Sequence, residues 1–276
     1  MPFAERNGKW NDITPLDQYE GGRAPIAPIP YQPDYAEVMG YFRAILKKEE
    51  MSERAFKLTR EVIEHAPGNY TAWVFRRKLI EKLELPIEKE MLWLQEYGIE
   101  QEKNFQIWHH RRCIAEMLGD KMDLEAEMEF LTEIFESDRK NYHAWSYRIW
   151  LIERFQLWVD ELQFVDDMLQ IDKGNNSVWS YRYFILNKAP TGLFKEHAPG
   201  SIGFVTEEIA VAGNWLLKDI SNESAYVYLR GLLCVTPEEE LKSQSKSVKR
   251  ICINKVRQEL EPLLTKVESQ ARQEGN

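Results

Sequence analysis

A repeated pattern is the feature of this sequence that most constrains its fold. In five places an Asn is followed four residues later by a large aromatic residue, and an Arg follows the aromatic residue within four positions. The aromatic residues are Trp73, Trp108, Trp145, Trp179 and Tyr226, so the steps between them are 35, 37, 34 and 47 residues. Periods of this size are typical of stacked helical hairpins. The sequence therefore predicts an all-α repeat protein with five hairpins.

Each repeat Asn is predicted to begin the second helix of a hairpin. An Asn side chain can accept a hydrogen bond from one of the free amides in the first turn of a helix. Helical spacing of the apolar residues also predicts a first helix before each Asn. From the second repeat onward, first helices are expected near residues 87–98, 122–137, 157–171 and 203–217, with partners near residues 105–118, 142–155, 176–187 and 223–234.

The hairpins are expected to form one domain, residues 34–276, preceded by a Pro-rich arm, residues 1–33. Prolines between positions 25 and 33 keep the chain extended, although the composition also fits a disordered tail. Residues 188–202 contain two Pro and two Gly and are expected to form a loop insertion, which accounts for the 47-residue step. Residues 237–268 are expected to form a capping helix that closes the stack.

Charge and cysteine content narrow the functional class. The 276 residues carry a formal charge of −9, which argues against non-specific binding to nucleic acid or to an anionic membrane. The three cysteines, Cys113, Cys234 and Cys252, are isolated, so neither a disulfide framework nor a zinc ribbon is expected. No apolar signal core opens the sequence, and no apolar run reaches about 18 residues. We therefore predict a cytoplasmic protein without a membrane span.

The starts of the second helices supply the candidate binding residues. In a stack, equivalent helix starts line up along one rim, so Lys103 would lie in the repeat next to Tyr142 and His143. Helix N-termini favour anions, and an ammonium, a phenol and an imidazole add hydrogen-bond donors. The pattern indicates a phosphate or diphosphate site, but the same residues also fit a solvated rim. Gln106 and Tyr70 occupy similar places in their own repeats.

The repeated Trp and Arg residues are interpreted as architecture. A Trp can fill the gap between two hairpins, and an Arg three residues later lies on the same helix face. From there the guanidinium can reach a carbonyl or a carboxylate in the next layer.

A metal site on this chain is not expected. His109 and His110 are adjacent and point about 100° apart on a helix, so they cannot chelate one ion well. Cys113 lies four residues after His109, but no third ligand is apparent, so its thiol is interpreted as buried. A basic stretch, residues 242–257, fits contact with an acidic membrane or partner, or a solvated helix face.

Several of these segments resemble protein prenyltransferase alpha subunits. The most distinctive is Lys103–Arg112, which reads KNFQIWHHRR. Asn141–Trp145 and Asn175–Trp179 resemble the two following repeats of that family, and Ser52–Arg60 and Trp10–Ile13 also resemble it. Within the family, the sequence is most similar to the alpha subunit shared by protein farnesyltransferase and type I geranylgeranyltransferase.

The resemblance implies a fold, a partner and a reaction. It implies that the hairpins form a right-handed alpha-alpha superhelix, a crescent around a beta subunit that holds the catalytic zinc and most of the lipid pocket. It also implies that the heterodimer transfers a farnesyl or geranylgeranyl group from its diphosphate to the Cys of a C-terminal CaaX motif. Magnesium is expected for farnesyl transfer, and no metal is expected on this chain.

The resemblance also implies residue roles. Lys103 matches the lysine that contacts the isoprenoid diphosphate and supports the chemical step, so it is the candidate catalytic residue. Tyr142 and His143 match residues near the same diphosphate. Gln106 matches the glutamine that hydrogen-bonds the terminal carboxylate of the CaaX peptide, and Tyr70 matches a tyrosine of the peptide or product groove.

Two positions depart from the family pattern, and two alternative identities stay open. Phe105 stands where the family more often has Tyr, and Tyr226 replaces the Trp of the fifth repeat. The alternatives are the alpha subunit of Rab geranylgeranyltransferase and a non-catalytic scaffold of the tetratricopeptide type.

Overall fold

The structure is a computed structural model. It describes residues 10–19, 26–190, 192–194, 197 and 201–234, and near the C-terminus residues 258, 261–263, 265–269 and 272. The chain divides into two compact units, Met1–Ala144 and Trp145–Asn276.

Every regular element in these ranges is helical, as predicted. The α-helices are α1 (Pro33–Lys47), α2 (Glu53–His65), α3 (Tyr70–Lys82), α4 (Ile87–Glu100), α5 (Phe105–Leu118), α6 (Leu124–Ser137), α7 (Tyr142–Phe155), α8 (Glu161–Ile171), α9 (Asn176–Lys188), α10 (Ile202–Lys218) and α11 (Glu223–Cys234). Pairs α2–α3, α4–α5, α8–α9 and α10–α11 pack as hairpins. None of the helices in the described part of the chain is long and apolar enough to cross a membrane.

Two first helices begin later than the apolar spacing predicted. Helix α6 begins at Leu124 because Met122 is extended and buried, and the Asp123 side chain accepts a hydrogen bond from the amide of Ala126 at 3.1 Å. Helix α8 begins at Glu161 because the preceding residues form a turn in which Trp158 is buried. In both places an apolar residue belongs to the connection rather than to the helix, and spacing alone does not distinguish the two.

The five repeat asparagines cap their helices as predicted. The side-chain oxygens of Asn104, Asn141 and Asn175 each accept a hydrogen bond from the amide two residues later, at 2.9–3.0 Å. Those of Asn69 and Asn222 accept from the amide three residues later, at 3.3 and 3.1 Å. Each bond satisfies an amide that has no partner inside its own helix.

The repeat tryptophans are buried, which confirms that they are structural. The indole N–H of Trp73, Trp108 and Trp179 donates to the carbonyl six residues earlier, at 2.7–2.9 Å. The fifth repeat differs, because Tyr226 is exposed. Tyr228, two residues later, packs on Trp179 of the preceding repeat with ring centroids 5.0 Å apart, just as Tyr181 packs on Trp145.

The repeat arginines form buried ion pairs with glutamates of the next first helix. In each pair, Nε and Nη2 of the guanidinium contact the two carboxylate oxygens at 2.6–3.1 Å. The pairs are Arg76–Glu90, Arg111–Glu127, Arg148–Glu161 and Arg182–Glu208. This confirms the expected reach into the next layer, and it identifies the acceptors, which the sequence left open. The fifth-repeat Arg230 is exposed instead.

The segment before α1 packs against the first hairpins of its unit. Trp10 and Ile13 are buried, and the ring of Trp10 lies 5.4 Å from that of Tyr41. Asp12 accepts two hydrogen bonds from the guanidinium of Arg54, at 2.7 and 2.8 Å. These contacts attach residues 10–13 to α1 and α2.

Three sequence-based expectations fall wholly or largely outside the described residues. They are the basic stretch 242–257, the capping helix 237–268 and much of the loop 188–202. The division into an arm, residues 1–33, and a repeat domain, residues 34–276, remains a proposal.

Candidate functional site

Three capped helix starts in the first unit carry the predicted site residues. Helices α3, α5 and α7 begin with Tyr70, Phe105 and Tyr142, each directly after its Asn cap. These rings are 66%, 60% and 77% exposed, respectively. Exposed aromatic rings at helix N-termini provide apolar surface for a ligand where the helix dipole favours an anion.

One backbone carbonyl connects the start of α5 to the start of α7. The carbonyl of Glu102 accepts the indole N–H of Trp108 at 2.7 Å and the side-chain amide of Asn141 at 3.2 Å. Lys103 is the next residue, so its backbone is fixed beside the cap that precedes Tyr142 and His143. The structure thus brings together the segments that carry Lys103, Tyr142 and His143.

The Lys103 side chain extends into solvent beside a carboxylate. Its side chain is 75% exposed, and its Nζ atom lies 3.5 Å from Oδ2 of Asp138. Asp138 lies in the turn before α7, where its other oxygen accepts the amide N–H of Lys140 at 3.0 Å. An ammonium with this exposure is accessible to a dissolved anion.

His143 lies in a group of aromatic rings. Its ring centroid is 6.3 Å from that of Phe105, 6.5 Å from that of Trp108 and 5.6 Å from that of Tyr142. The side chain is half-buried. A partly sheltered imidazole at a helix N-terminus can donate a hydrogen bond to an anion there.

The two predicted peptide-contacting residues lie on neighbouring helices. Gln106 is half-buried in the first turn of α5, and its backbone amide donates to the Asn104 side chain at 2.9 Å. Tyr70 opens α3, which packs against α5. Both therefore belong to the same series of helix starts as Lys103.

The adjacent histidines have different surroundings. His110 is fully buried and packs against Trp73, with ring centroids 4.9 Å apart. Burial lowers the pKa of His110 to about 4, so the ring is neutral at pH 7. Its Nε2–H then donates to Glu90 at 2.8 Å, and its Nδ1 accepts from Arg77 at 3.2 Å. His110 thus has a structural role.

His110 makes stability depend on pH. The folded-state pKa lies below the ordinary value of 6.5, so between pH 6.5 and 4 the unfolded chain binds more protons. The stabilisation is complete above pH 6.5 and is lost as the pH falls towards 4. Urea titrations at pH 7 and pH 5 measure this loss. Between these pH values, we expect the free energy of unfolding of the wild-type protein to fall by roughly 2 kcal/mol more than that of His110→Gln.

The control for this pH effect is His65→Gln, which changes an exposed ring. This variant shows whether replacing an imidazole by Gln at an exposed place alters the pH dependence of the unfolding free energy by itself. Equal slopes for wild type and His110→Gln would contradict a neutral buried imidazole at position 110.

The surroundings of Cys113 differ from the prediction that its thiol is buried. The His109 Nε2 atom lies 3.8 Å from the Cys113 Sγ atom, and Cys113 is half-buried rather than buried as predicted. One side of the thiol lines a groove of about 470 Å³ between α3 and α5. Partial burial raises the pKa of the Cys113 thiol, so it is largely protonated at pH 7. No group of three His, Cys, Asp or Glu side chains that could hold a metal occurs among the described residues.

Sequence reasoning missed the carboxylates that organise this region. Glu90, Glu127, Glu161 and Glu208 each lie 18 residues before a repeat aromatic residue, a regularity visible in the sequence. Asp138, the partner of Lys103, was also missed. A regularity of the sequence could have identified it, because an Asp stands three residues before the repeat Asn in each of the last three repeats, at Asp138, Asp172 and Asp219.

Comparison with known proteins identifies the family. The protein prenyltransferase alpha subunit repeat matches residues 52–83, 124–155 and 158–189. A solved structure, Candida albicans protein geranylgeranyltransferase-I complexed with GGPP, is 34% identical, with a TM-score of 0.69. The match covers 85% of this chain and 75% of that chain. This chain belongs to the protein prenyltransferase alpha subunit family.

Relatives of this chain include proteins named protein farnesyltransferase/geranylgeranyltransferase type-1 subunit alpha. The Schizosaccharomyces pombe protein is 38% identical over 109 residues, which are 40% of this chain and 37% of that protein. The Solanum lycopersicum protein is 45% identical over 91 residues, which are 33% of this chain and 26% of that protein. These alignments thus span about a third of the relatives' lengths. Family membership removes the tetratricopeptide-type scaffold as an alternative.

Proposed function

We propose that this chain is the alpha subunit of a heterodimeric protein prenyltransferase of the farnesyltransferase and type I geranylgeranyltransferase class. The observation that carries the proposal is the hydrogen-bonded junction that fixes Lys103 beside the N-terminus of α7. The names of the relatives favour this class over Rab geranylgeranyltransferase. With a beta subunit, the enzyme transfers a farnesyl or geranylgeranyl group to the Cys of a C-terminal CaaX motif.

The proposed reaction breaks the bond between the first isoprenoid carbon and the diphosphate oxygen. Negative charge accumulates on the departing diphosphate as this bond lengthens. In this proposal the Lys103 ammonium neutralises that charge, and the Tyr142 hydroxyl and the His143 imidazole add hydrogen bonds. Interactions that strengthen as charge develops lower the barrier more than they stabilise bound substrate.

The peptide would occupy the surface next to the diphosphate. We assign Gln106 as the residue that hydrogen-bonds the terminal carboxylate, because it lies three positions after Lys103 in the first turn of α5. We assign Tyr70 to the wall of the peptide groove, since its ring is exposed at the start of a helix that packs against α5.

We assign the catalytic zinc to the beta subunit. The described residues of this chain gather no suitable ligand set, and His109 with Cys113 supplies only two donors. Zinc in the partner would lower the pKa of the substrate thiol, and magnesium would assist farnesyl transfer. We place the reaction in the cytoplasm, where substrate thiols are kept reduced.

Co-expression with a candidate beta subunit tests the proposal. The purified complex should transfer a geranylgeranyl or farnesyl group to a CaaX peptide, and each isolated chain should be inactive. A peptide with Ser in place of the CaaX Cys is the control and should not react. Transfer by this chain alone, or a stable complex that prenylates no CaaX peptide with either diphosphate, would contradict the proposal.

A further inference from the structure

A carboxylate faces the proposed catalytic ammonium. The Nζ atom of Lys103 is 3.5 Å from Oδ2 of Asp138, which comes from the turn between α6 and α7. The Asp138 side chain is 29% exposed, against 75% for that of Lys103. The acid is therefore the more sheltered partner of this pair.

Hydrogen bonds hold Asp138 in place. Its backbone N–H donates to the carbonyl of Ile134 at 2.8 Å, and its own carbonyl accepts the amide of Asn141 at 3.0 Å. Its Oδ1 atom accepts the amide of Lys140 at 3.0 Å. The lysine side chain has four rotatable bonds and an exposed head, so contact with the fixed carboxylate favours one position of the ammonium among several.

The pair leaves the ammonium free to bind an anion as well. A lysine head has three N–H donors, and one of them is enough for Asp138. The other two remain available to an oxyanion at the start of α7. An exposed pair of this length is weak, so a diphosphate, with its larger charge, can share the ammonium.

We infer that Asp138 is a positioning residue, which orients the Lys103 ammonium towards the leaving diphosphate. This inference rests on the proposed function. The Asp138 carboxylate acts in two opposite directions. It reduces the net positive charge and so weakens binding of the diphosphate, while it holds the ammonium in the orientation that the bond-breaking step needs.

The second unit contains a matched pair of its own. Lys173 Nζ lies 3.2 Å from Asp219 Oδ2, and Asp219 Oδ1 accepts the amide of Ser221 at 3.0 Å. The helix that follows this pair, α11, begins with Glu223 instead of an aromatic residue and a histidine. Asp219→Asn therefore removes the same type of pair before a helix start that carries none of the candidate site residues.

Measurements on the complex with its beta subunit test the inference. In Asp138→Asn, the Kd of geranylgeranyl diphosphate or farnesyl diphosphate should fall about three- to tenfold, because a nearby negative charge is removed. The single-turnover rate of prenyl transfer should also fall about three- to tenfold, because the ammonium is less well oriented. Asp219→Asn should change neither quantity, and a purely structural role of Asp138 would not improve diphosphate binding.

A double-substitution cycle separates this inference from the proposed function. In a Lys103→Ala background, Asp138→Asn should no longer affect the transfer rate. If Lys103→Ala slows transfer but Asp138→Asn leaves both the rate and the Kd unchanged, the inference is wrong and the proposed function stands. If the Lys103→Ala enzyme transfers the prenyl group at the wild-type rate, Lys103 is not the catalytic residue, and the proposed function is wrong on that point.

Discussion

Replacing Lys103 by Ala is expected to slow single-turnover prenyl transfer by about 10²- to 10³-fold, or ~3–4 kcal/mol of transition-state stabilisation. The reason is that the ammonium neutralises charge that appears only as the diphosphate departs. Binding of the intact diphosphate should weaken much less than the rate falls. The measurement is rapid-quench prenyl transfer to a CaaX peptide with the enzyme complex in excess.

Lys173→Ala is the matched control for this variant. Lys173 is also an exposed lysine paired with an Asp in the turn before the next repeat helix. The Lys173→Ala enzyme should transfer the prenyl group at the wild-type rate. Equal rates for Lys103→Ala and Lys173→Ala would contradict a catalytic role of Lys103.

Replacing Glu161 by Ala is expected to lower the free energy of unfolding by about 3–5 kcal/mol. Glu161 is buried, accepts two hydrogen bonds from Arg148 and also accepts one from the hydroxyl of Tyr181. Its removal leaves a guanidinium charge and a hydroxyl buried without their acceptor. Urea unfolding of the purified protein measures the loss.

Two variants define how the Glu161 result is interpreted. Asp167→Ala removes an exposed carboxylate from the same helix and should change stability by less than about 0.5 kcal/mol. The double variant Arg148→Met with Glu161→Leu should recover the part of the loss that comes from the unpaired charge, because it removes both charges, but not the part that comes from the Tyr181 hydroxyl. A loss below about 1 kcal/mol in Glu161→Ala would show that the pair does not support the stack.

The sequence predicted those features of the fold that depend on neighbouring residues. An Asn cap needs only the amides two or three residues later, so the helices that begin after Asn104, Asn141 and Asn222 were placed correctly. The apolar period gave the first helices for the same reason, and it placed two helix starts too early where Met122 and Trp158 belong to the connections between helices. Whether an apolar residue packs from a helix or from a connection depends on tertiary contacts.

The buried ion pairs show what local reasoning leaves out. Spacing indicated that Arg76 and Arg148 face the next layer, but it did not identify Glu90 and Glu161 as their acceptors. The choice of acceptor depends on the register between helices. The 18-residue offset of these glutamates from the next repeat aromatic residue carries that information, but only once the packing is known.

For the candidate site, the sequence predicted which residues lie in neighbouring repeats but not the contacts that connect them. The repeat placed Lys103 in the repeat next to Tyr142 and His143. The Glu102 carbonyl that links the two segments, and the Asp138 carboxylate beside the ammonium, come from backbone geometry in the turns. Such contacts are formed by the fold and are not contained in any single motif.

The central claim is that Lys103 contacts the diphosphate that leaves during transfer. The most direct measurement is a structure of the complete heterodimer bound to a non-hydrolysable prenyl diphosphate analogue and a CaaX peptide. We expect the Nζ atom of Lys103 within about 3 Å of a diphosphate oxygen, with the ammonium still beside Asp138. A diphosphate bound elsewhere, with the Lys103 ammonium surrounded by bulk water, would contradict the claim.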